Sequence, residues 1–365
     1  MDVNEAINNF CTHNDIDLEN DYLVKSERKY LYNLKNNVTK WINGIPDEET
    51  KCILLNLFSE YEYVSTVKFQ DRMEEMFNDI RNYLNTVEVV NQFGQINNDE
   101  ILFITVESKY ASGSQEIISA FRYINTSVKQ QNIIAEFDKA LETSGFLDSY
   151  KVVVLIDDIV GSGWTISDNA KKIAEKIISN TDSLPLFLVC SAYCKRSKNK
   201  KDKAFAKSID KYRSSFKKDI MIVPLFKENI NGILKTKKDE KEIIEKYEHL
   251  INEEFRHDLE ERSNNVIDKA KHQQLQEDIN CLNYEMGFKN GALGISFYYN
   301  TPNNTLSSFW LKTKTNTPPF LREEKKIELL LQDIQKAKKK TDQNNYKAKC
   351  IDCITSKNTY ENEHE

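Results

Sequence analysis

The sequence lacks any apolar run approaching the roughly 18 residues that a membrane-spanning helix needs, which excludes an integral helical membrane protein. Its first ten residues, MDVNEAINNF, lack the basic-then-apolar order of a secretory signal. Cysteines number seven, odd and scattered, which excludes a disulfide framework and leads to the expectation of reduced thiols in a cytoplasm. Positive charge is not in excess: the net charge of -6 argues against non-specific nucleic-acid binding by the whole chain, though not against a local basic patch. Glycine and proline are scarce, at ten and six among 365 residues, so each glycine says more than usual about local backbone need. Three nucleotide and hydrolase signatures are absent as well. No G-x-x-x-x-G-K-[ST], no G-x-G-x-x-G and no G-x-S-x-G occurs.

What remains is a soluble globular composition, 39% hydrophobic and 30% charged, long enough for one large or two ordinary domains. Residues 20–92 read as helical. Tyr30, Leu34, Val38, Trp41 and Ile42 fall three or four apart on one face, and Phe69, Met73, Met76, Phe77, Ile80 and Leu84 form a second stripe. Both stripes read as core packing. Between them, acids in the first turn of DEETKCILLNLFSEY mark another helix start. From about residue 100 short apolar runs alternate with helical segments. Strands are predicted at 101–106, 152–157, 184–193, 220–226 and 292–300. Helices are predicted over QEIISAFRYI, NIIAEFDKALET and 167–179. This alternation predicts an α/β fold, with a mainly parallel sheet flanked by helices. Ligands of such sheets bind outside the carboxyl ends of the strands. The predicted organisation is a helical region over 1–98 and an α/β domain over 99–312. The latter carries a charged helical insertion at about 238–286, and a charged helix and polar tail follow over 313–365.

One stretch concentrates chemistry. VVVLIDDIVGSGWT, residues 152–165, runs a buried strand into Asp157 and Asp158, then into Val160, Gly161, Ser162, Gly163, Trp164 and Thr165 at the start of a helix. A helix N-terminus offers unpaired N–H groups and a partial positive charge, and glycines let the backbone close on a phosphate. Ser162 and Thr165 add hydroxyl donors. Two carboxylates before such a cradle can accept hydrogen bonds from vicinal hydroxyls or help hold a hydrated magnesium ion. A ligand with a phosphate, a diol and a metal fits the set.

This order of residues resembles the phosphoribosyl pyrophosphate signature of the type I phosphoribosyltransferases. The resemblance implies that Asp157 and Asp158 bind the ribose hydroxyls, with magnesium held indirectly, and that Val160 to Thr165 wrap the 5′-phosphate. It also implies a pyrophosphate loop after an earlier strand. ILFITVESKYASGS supplies Ser108, Lys109, Tyr110, Ala111, Ser112, Gly113 and Ser114, with Lys109 placed to pair with a diphosphate. FYYNTPNNTLSSFW, residues 297–310, and VTKWI near the start are similar to segments of a divergent bacterial phosphoribosyltransferase-like group. That group is associated with conflict and anti-phage systems, some members beside retron reverse transcriptases. The turn around Pro302 offers Asn300, Asn303, Asn304 and Thr305 beside Trp310. It reads either as a nucleotide-recognition element or as a turn held by its own Asx hydrogen bonds. Trp164 is bulkier than the usual residue at its place and either stacks on a ligand or covers the loop. The mobile catalytic loop and base-recognition hood of a salvage enzyme are not recognisable.

The resemblance therefore implies a magnesium-dependent effector of a bacterial defence system that binds phosphoribosyl pyrophosphate or a related nucleotide and acts at ribose C1. Its partner would be a reverse transcriptase–nucleic acid complex or another defence protein. The alternative is a non-catalytic nucleotide sensor, or a regulatory subunit docking on a nucleoprotein partner. Three further features stay open. The basic segment 194–218, with Tyr193, Phe205 and Tyr212, reads as a phosphate-backbone surface or as a solvated lysine-rich helix. His249, Glu253 and His257 share a helical face and read either as a metal site, for which no further ligand is in evidence, or as solvated side chains. Cys350 and Cys353 form a lone C-x-x-C, too few ligands for a structural zinc site.

Overall fold

A computed structural model describes residues 1–20, 24, 27, 29–105, 113–161, 163–195, 216, 218–234, 238–264, 269–280, 282–322, 331, 332, 334 and 335. Most of the predicted charged helix and polar tail beyond residue 322 falls outside this set, as do most of the 194–218 segment and the cysteines at 350 and 353.

Its centre is a five-stranded, all-parallel sheet in the order β3-β2-β4-β5-β6. The strands are β2 (Ile101–Thr105), β3 (Ile133–Ile134), β4 (Val152–Val160), β5 (Leu186–Lys195) and β6 (Ile222–Ile230). β4 is central because it is apolar on both faces. Val152, Val154 and Ile156 pack into one cluster, and Val153 and Leu155 into another on the opposite side. α4 (Thr66–Leu84) and α6 (Gly113–Ile124) cover the first face with Phe69, Met73, Phe77, Ile117 and Phe121. α8 (Trp164–Asn180) covers the second with Ile166, Ala170, Ile173, Ala174 and Ile177, spaced as a helical stripe requires. The α/β, parallel-sheet expectation is met.

A third cluster draws on both ends of the chain. α1 (Val3–Asn14), α2 (Leu34–Asn43) and α3 (Glu48–Ser59) pack with α9 (Lys238–Ser263), α10 (Lys269–Asn280) and the segment from Leu306 to Phe320. Trp41, Phe58, Tyr61, Phe309 and Phe320 are buried there in mutual ring contact. Each such side chain contributes on the order of 2 kcal/mol or more by leaving water. Side chains cap these helices as the sequence suggests: Asp47 accepts from the Glu49 and Thr50 amides at 3.0 and 3.1 Å. Buried Asn14 joins α1 to β1 (Glu62–Val64), donating to the Phe10 and Tyr61 carbonyls at 2.9 and 2.8 Å and accepting from the Tyr63 amide at 2.7 Å. Glu248 of α9 is fully buried. It accepts from the Ser307 and Ser308 amides at 2.6 and 3.1 Å, which fixes the turn from Ser307 to Phe309.

Four local expectations are corrected. The first helical stripe includes Tyr30, yet α2 begins at Leu34, and Tyr30 is buried ahead of it. NIIAEFDKALET is not one helix. It gives a 3-10 turn, the short edge strand β3 and the one-turn α7 (Phe137–Ala140), because Ile133 and Ile134 find pairing partners on β2. β4, predicted to end at 157, continues through Val160. The predicted strand at 292–300 is reduced to β7 (Ile295–Phe297), which leaves the main sheet and pairs in parallel with β1, inside the region read as helical. α5 (Val87–Phe93) completes the run of helices before β2.

Candidate functional site

β2 is described to Thr105, opposite Ile156, and β4 and β5 stay paired to Val160 and Cys194. Asp157 and Asp158 follow Ile156 toward the carboxyl edge of the sheet, where ligands of parallel sheets bind. Alternation slips here. Ile159 packs with the cluster that holds Ile156, and Val160 with the cluster that holds Leu155. The Asp158 amide donates to Asp157 Oδ1 at 3.0 Å. Burial first, and then the neighbouring Asp158 carboxylate, push the Asp157 carboxyl well above the ordinary aspartate range. Among the described residues neither aspartate forms an ion pair, so the pair stands without a countercharge there. A cation would offset the repulsion, and hydroxyls would satisfy the oxygens.

The loop after the pair needs both its glycines, for different reasons. Gly163 is the N-cap of α8 with φ +77°, a left-handed conformation that favours glycine. Gly163 also brings no side chain to cap the first N–H groups of α8, and the first turn of the helix contains no acidic residue. That end is therefore suited to an anion. Gly161 is required by proximity: a Cβ there would lie 2.7 Å from both Cγ and Oδ1 of Asn304. Thr165 is exposed on the first turn of α8. Ser162 and the side chain of Trp164 lie outside the description. So do Ser108, Lys109, Tyr110, Ala111 and Ser112 and the side chain of Ser114. The structure brackets that predicted loop between Thr105 and Gly113, the first residue of α6.

The segment from Gly287 to Thr305 meets the loop through Asn304, which lies against Gly161. Asn304 donates from Nδ2 to the Phe288 carbonyl at 2.9 Å, and its backbone sits where a Cβ on Gly287 or Gly291 would have to go. Lys195, ending β5, donates to the Gly291 carbonyl. Thr305 is fully buried and donates its hydroxyl to the Ile295 carbonyl at 2.8 Å, and Trp310 Nε1 donates to the Thr305 carbonyl at 3.0 Å. Asn300 and Asn303 are half-buried. The structure thus brings Asn304 to the Gly161–Gly163 loop and commits Thr305 to the turn itself.

Two residues absent from the sequence reading bear on the elements that carry the site. Tyr299 donates its hydroxyl to Asp158 Oδ2 at 2.7 Å. Buried Arg72 of α4 donates from Nε to the Ala192 carbonyl at 2.6 Å and pairs with Glu75, which ties α4 to β5 where the β5–β6 register shifts. Neither had a local signal, since Asp158 and Ala192 lie 141 and 120 residues away from them. The helical triad at 249–257 does not assemble. His249 faces Glu285 at 3.3 Å, Glu253 faces Arg256 at 3.0 Å, and His257 faces Glu261 at 3.8 Å. Among the described residues no group of three or more His, Cys, Asp or Glu side chains could hold a metal. No described helix is long and apolar enough to cross a membrane.

A family model described as PRTase-CE matches residues 38–322, more than three quarters of the chain. No curated protein and no solved structure matches.

Proposed function

Because the chain belongs to the PRTase-CE family, a phosphoribosyltransferase-like group, we propose that the carboxyl edge of β4 and the start of α8 bind phosphoribosyl pyrophosphate or a closely related nucleotide. The observation that carries this reading is the half-buried Asp157–Asp158 pair, without an ion-pair partner among the described residues, set a short glycine loop before a helix N-terminus that Gly163 leaves without a side-chain cap. Carboxylates for a diol and backbone amides for a phosphate stand in the order that a ribose 5-phosphate presents them.

The roles follow residue by residue. Asp157 and Asp158 orient the ribose through its hydroxyls and help hold hydrated magnesium. Magnesium when bound neutralises diphosphate charge. Val160 to Thr165 enclose the 5′-phosphate, with Gly161 and Gly163 giving the backbone access. Lys109 and its neighbours receive the diphosphate. With the sugar held so, the bond between ribose C1 and the diphosphate oxygen breaks heterolytically. The electron pair leaves with the diphosphate, and an acceptor attacks C1. The likeness of 297–310 to the conflict-associated group supports a place in bacterial defence, beside a reverse transcriptase–nucleic acid complex or another defence protein.

A thermal-shift series tests the ligand class. Phosphoribosyl pyrophosphate, ribose 5-phosphate, adenosine monophosphate and inorganic phosphate are compared with and without magnesium. The expected result is the largest stabilisation by phosphoribosyl pyrophosphate with magnesium. Stabilisation by inorganic phosphate equal to that by the sugar phosphates contradicts a ribose site. Binding without pyrophosphate release assigns the chain to sensing instead of transfer.

A further inference from the structure

We propose that the Tyr299 hydroxyl is the positioning group for Asp158, holding its carboxylate ready for the ribose hydroxyls; this rests on the phosphoribosyl reading above. Asp158 stands near the carboxyl end of β4 beside a second carboxylate, so a fixed donor is needed to keep its side chain in one orientation. Tyr299 supplies that donor at 2.7 Å. An ionised carboxylate has about four acceptor positions. One bond from Tyr299 fixes the group and leaves the others for ligand.

The platform carrying this hydroxyl is rigid. The Tyr299 ring stacks on Phe297 with centroids 5.4 Å apart and planes at 22°, and meets Phe69 edge-on at 5.6 Å. Phe297 itself is pinned in the β1–β7 pairing opposite Val64, and Tyr193 of β5 packs against it edge-on at 5.4 Å. Lys29 Nζ holds the Tyr299 carbonyl at 3.1 Å. Burial, and then the Asp158 charge, push the Tyr299 phenol well above its usual range, so it stays protonated and can donate. A locked donor aimed at a ligand-binding carboxylate is the arrangement a binding site needs to stay preorganised. The adjacent Tyr298 provides a natural comparison, since it donates to Glu116 of α6 at 3.0 Å and not to the acid pair.

The test is calorimetric titration of the full chain with phosphoribosyl pyrophosphate and, separately, with inorganic pyrophosphate, each with magnesium. Wild type, Tyr299→Phe and Tyr298→Phe are compared. Tyr299→Phe keeps the ring and removes the hydroxyl. It is expected to weaken phosphoribosyl pyrophosphate binding about tenfold, the scale of a lost hydrogen bond to a charged group, while pyrophosphate binding and melting temperature stay near wild type. Tyr298→Phe is expected to bind both as wild type does. Unchanged phosphoribosyl pyrophosphate affinity in Tyr299→Phe overturns the inference. Equal weakening for both ligands, or in both variants, overturns it too, because a role confined to packing would act that way. A wild type that binds no phosphoribosyl pyrophosphate refutes the function proposed above and this inference with it, whereas binding that ignores the hydroxyl refutes the inference alone.

Discussion

Gly161→Ala tests whether the loop between β4 and α8 is shaped by its contact with Asn304. The new Cβ would lie 2.7 Å from Asn304 Cγ and Oδ1 and 3.1 Å from its Cβ. Asn304 cannot swing aside freely, because its Nδ2 is bonded to the Phe288 carbonyl at 2.9 Å. Relief therefore costs that hydrogen bond, about 1 kcal/mol net, with residual overpacking of about 1 kcal/mol or more. The sum is about 2 kcal/mol. At about 2.1 cal/mol/K per residue it lowers the melting temperature by about 3 °C, if the chain unfolds cooperatively. The assay is thermal unfolding of wild type, Gly161→Ala, Asn304→Ala and the double variant. Truncating Asn304 removes the atoms that clash, so the double variant is expected to be clearly more stable than the two single losses added together. Gly163→Ala serves as the contrast. Its cost comes from φ +77°, and Asn304→Ala should not rescue it. Strict additivity of Gly161→Ala with Asn304→Ala would refute the reasoning.

Two other predictions concern pH. The Asp157 carboxyl is raised in the folded state, so its ionisation costs stability. The cost is absent below the ordinary aspartate value of about 3.9 and grows as pH rises through the folded value. Ligand-free Asp157→Asn should therefore melt at or above the wild-type temperature at pH 7, by a margin that shrinks toward pH 4. A margin independent of pH contradicts the burial of that charge. Glu248 is raised from 4.5 to about 7 by burial, so its contribution is full below pH 4.5 and is lost as pH rises through 7. The loss is on the order of 3 kcal/mol. Chemical unfolding across pH 4.5–8 should show the difference between Glu248→Gln and wild type moving in favour of the variant by about that amount. A constant difference removes the claim.

Legibility in the sequence followed the range of the interactions. The acid pair, the glycine loop and the start of α8 lie within nine consecutive residues, 157–165, and their chemistry is readable because strand, loop and helix are contiguous. β4 and β5 announced themselves as apolar runs because both faces of the sheet are covered. The missed features pair distant residues. β1 and β7 are three residues each, and neither carries a pattern that forecasts the other. β3 is two residues in a segment whose apolar spacing also suits a helix. Nothing in the charged run at 238–286 marks Glu248 as buried, because the Ser307 and Ser308 amides that bond it lie about 60 positions away. Gly161 could be read as a phosphate-loop glycine, but not as the seat of Asn304, which only the folded chain supplies.

Titration of phosphoribosyl pyrophosphate with magnesium into wild type and into the Asp157→Asn/Asp158→Asn double variant addresses the central claim most directly. The account predicts saturable binding to wild type, and loss of most of that affinity in a double variant that still unfolds cooperatively at or above the wild-type temperature. Undiminished binding by the folded double variant would contradict the assignment of the acid pair to the ribose.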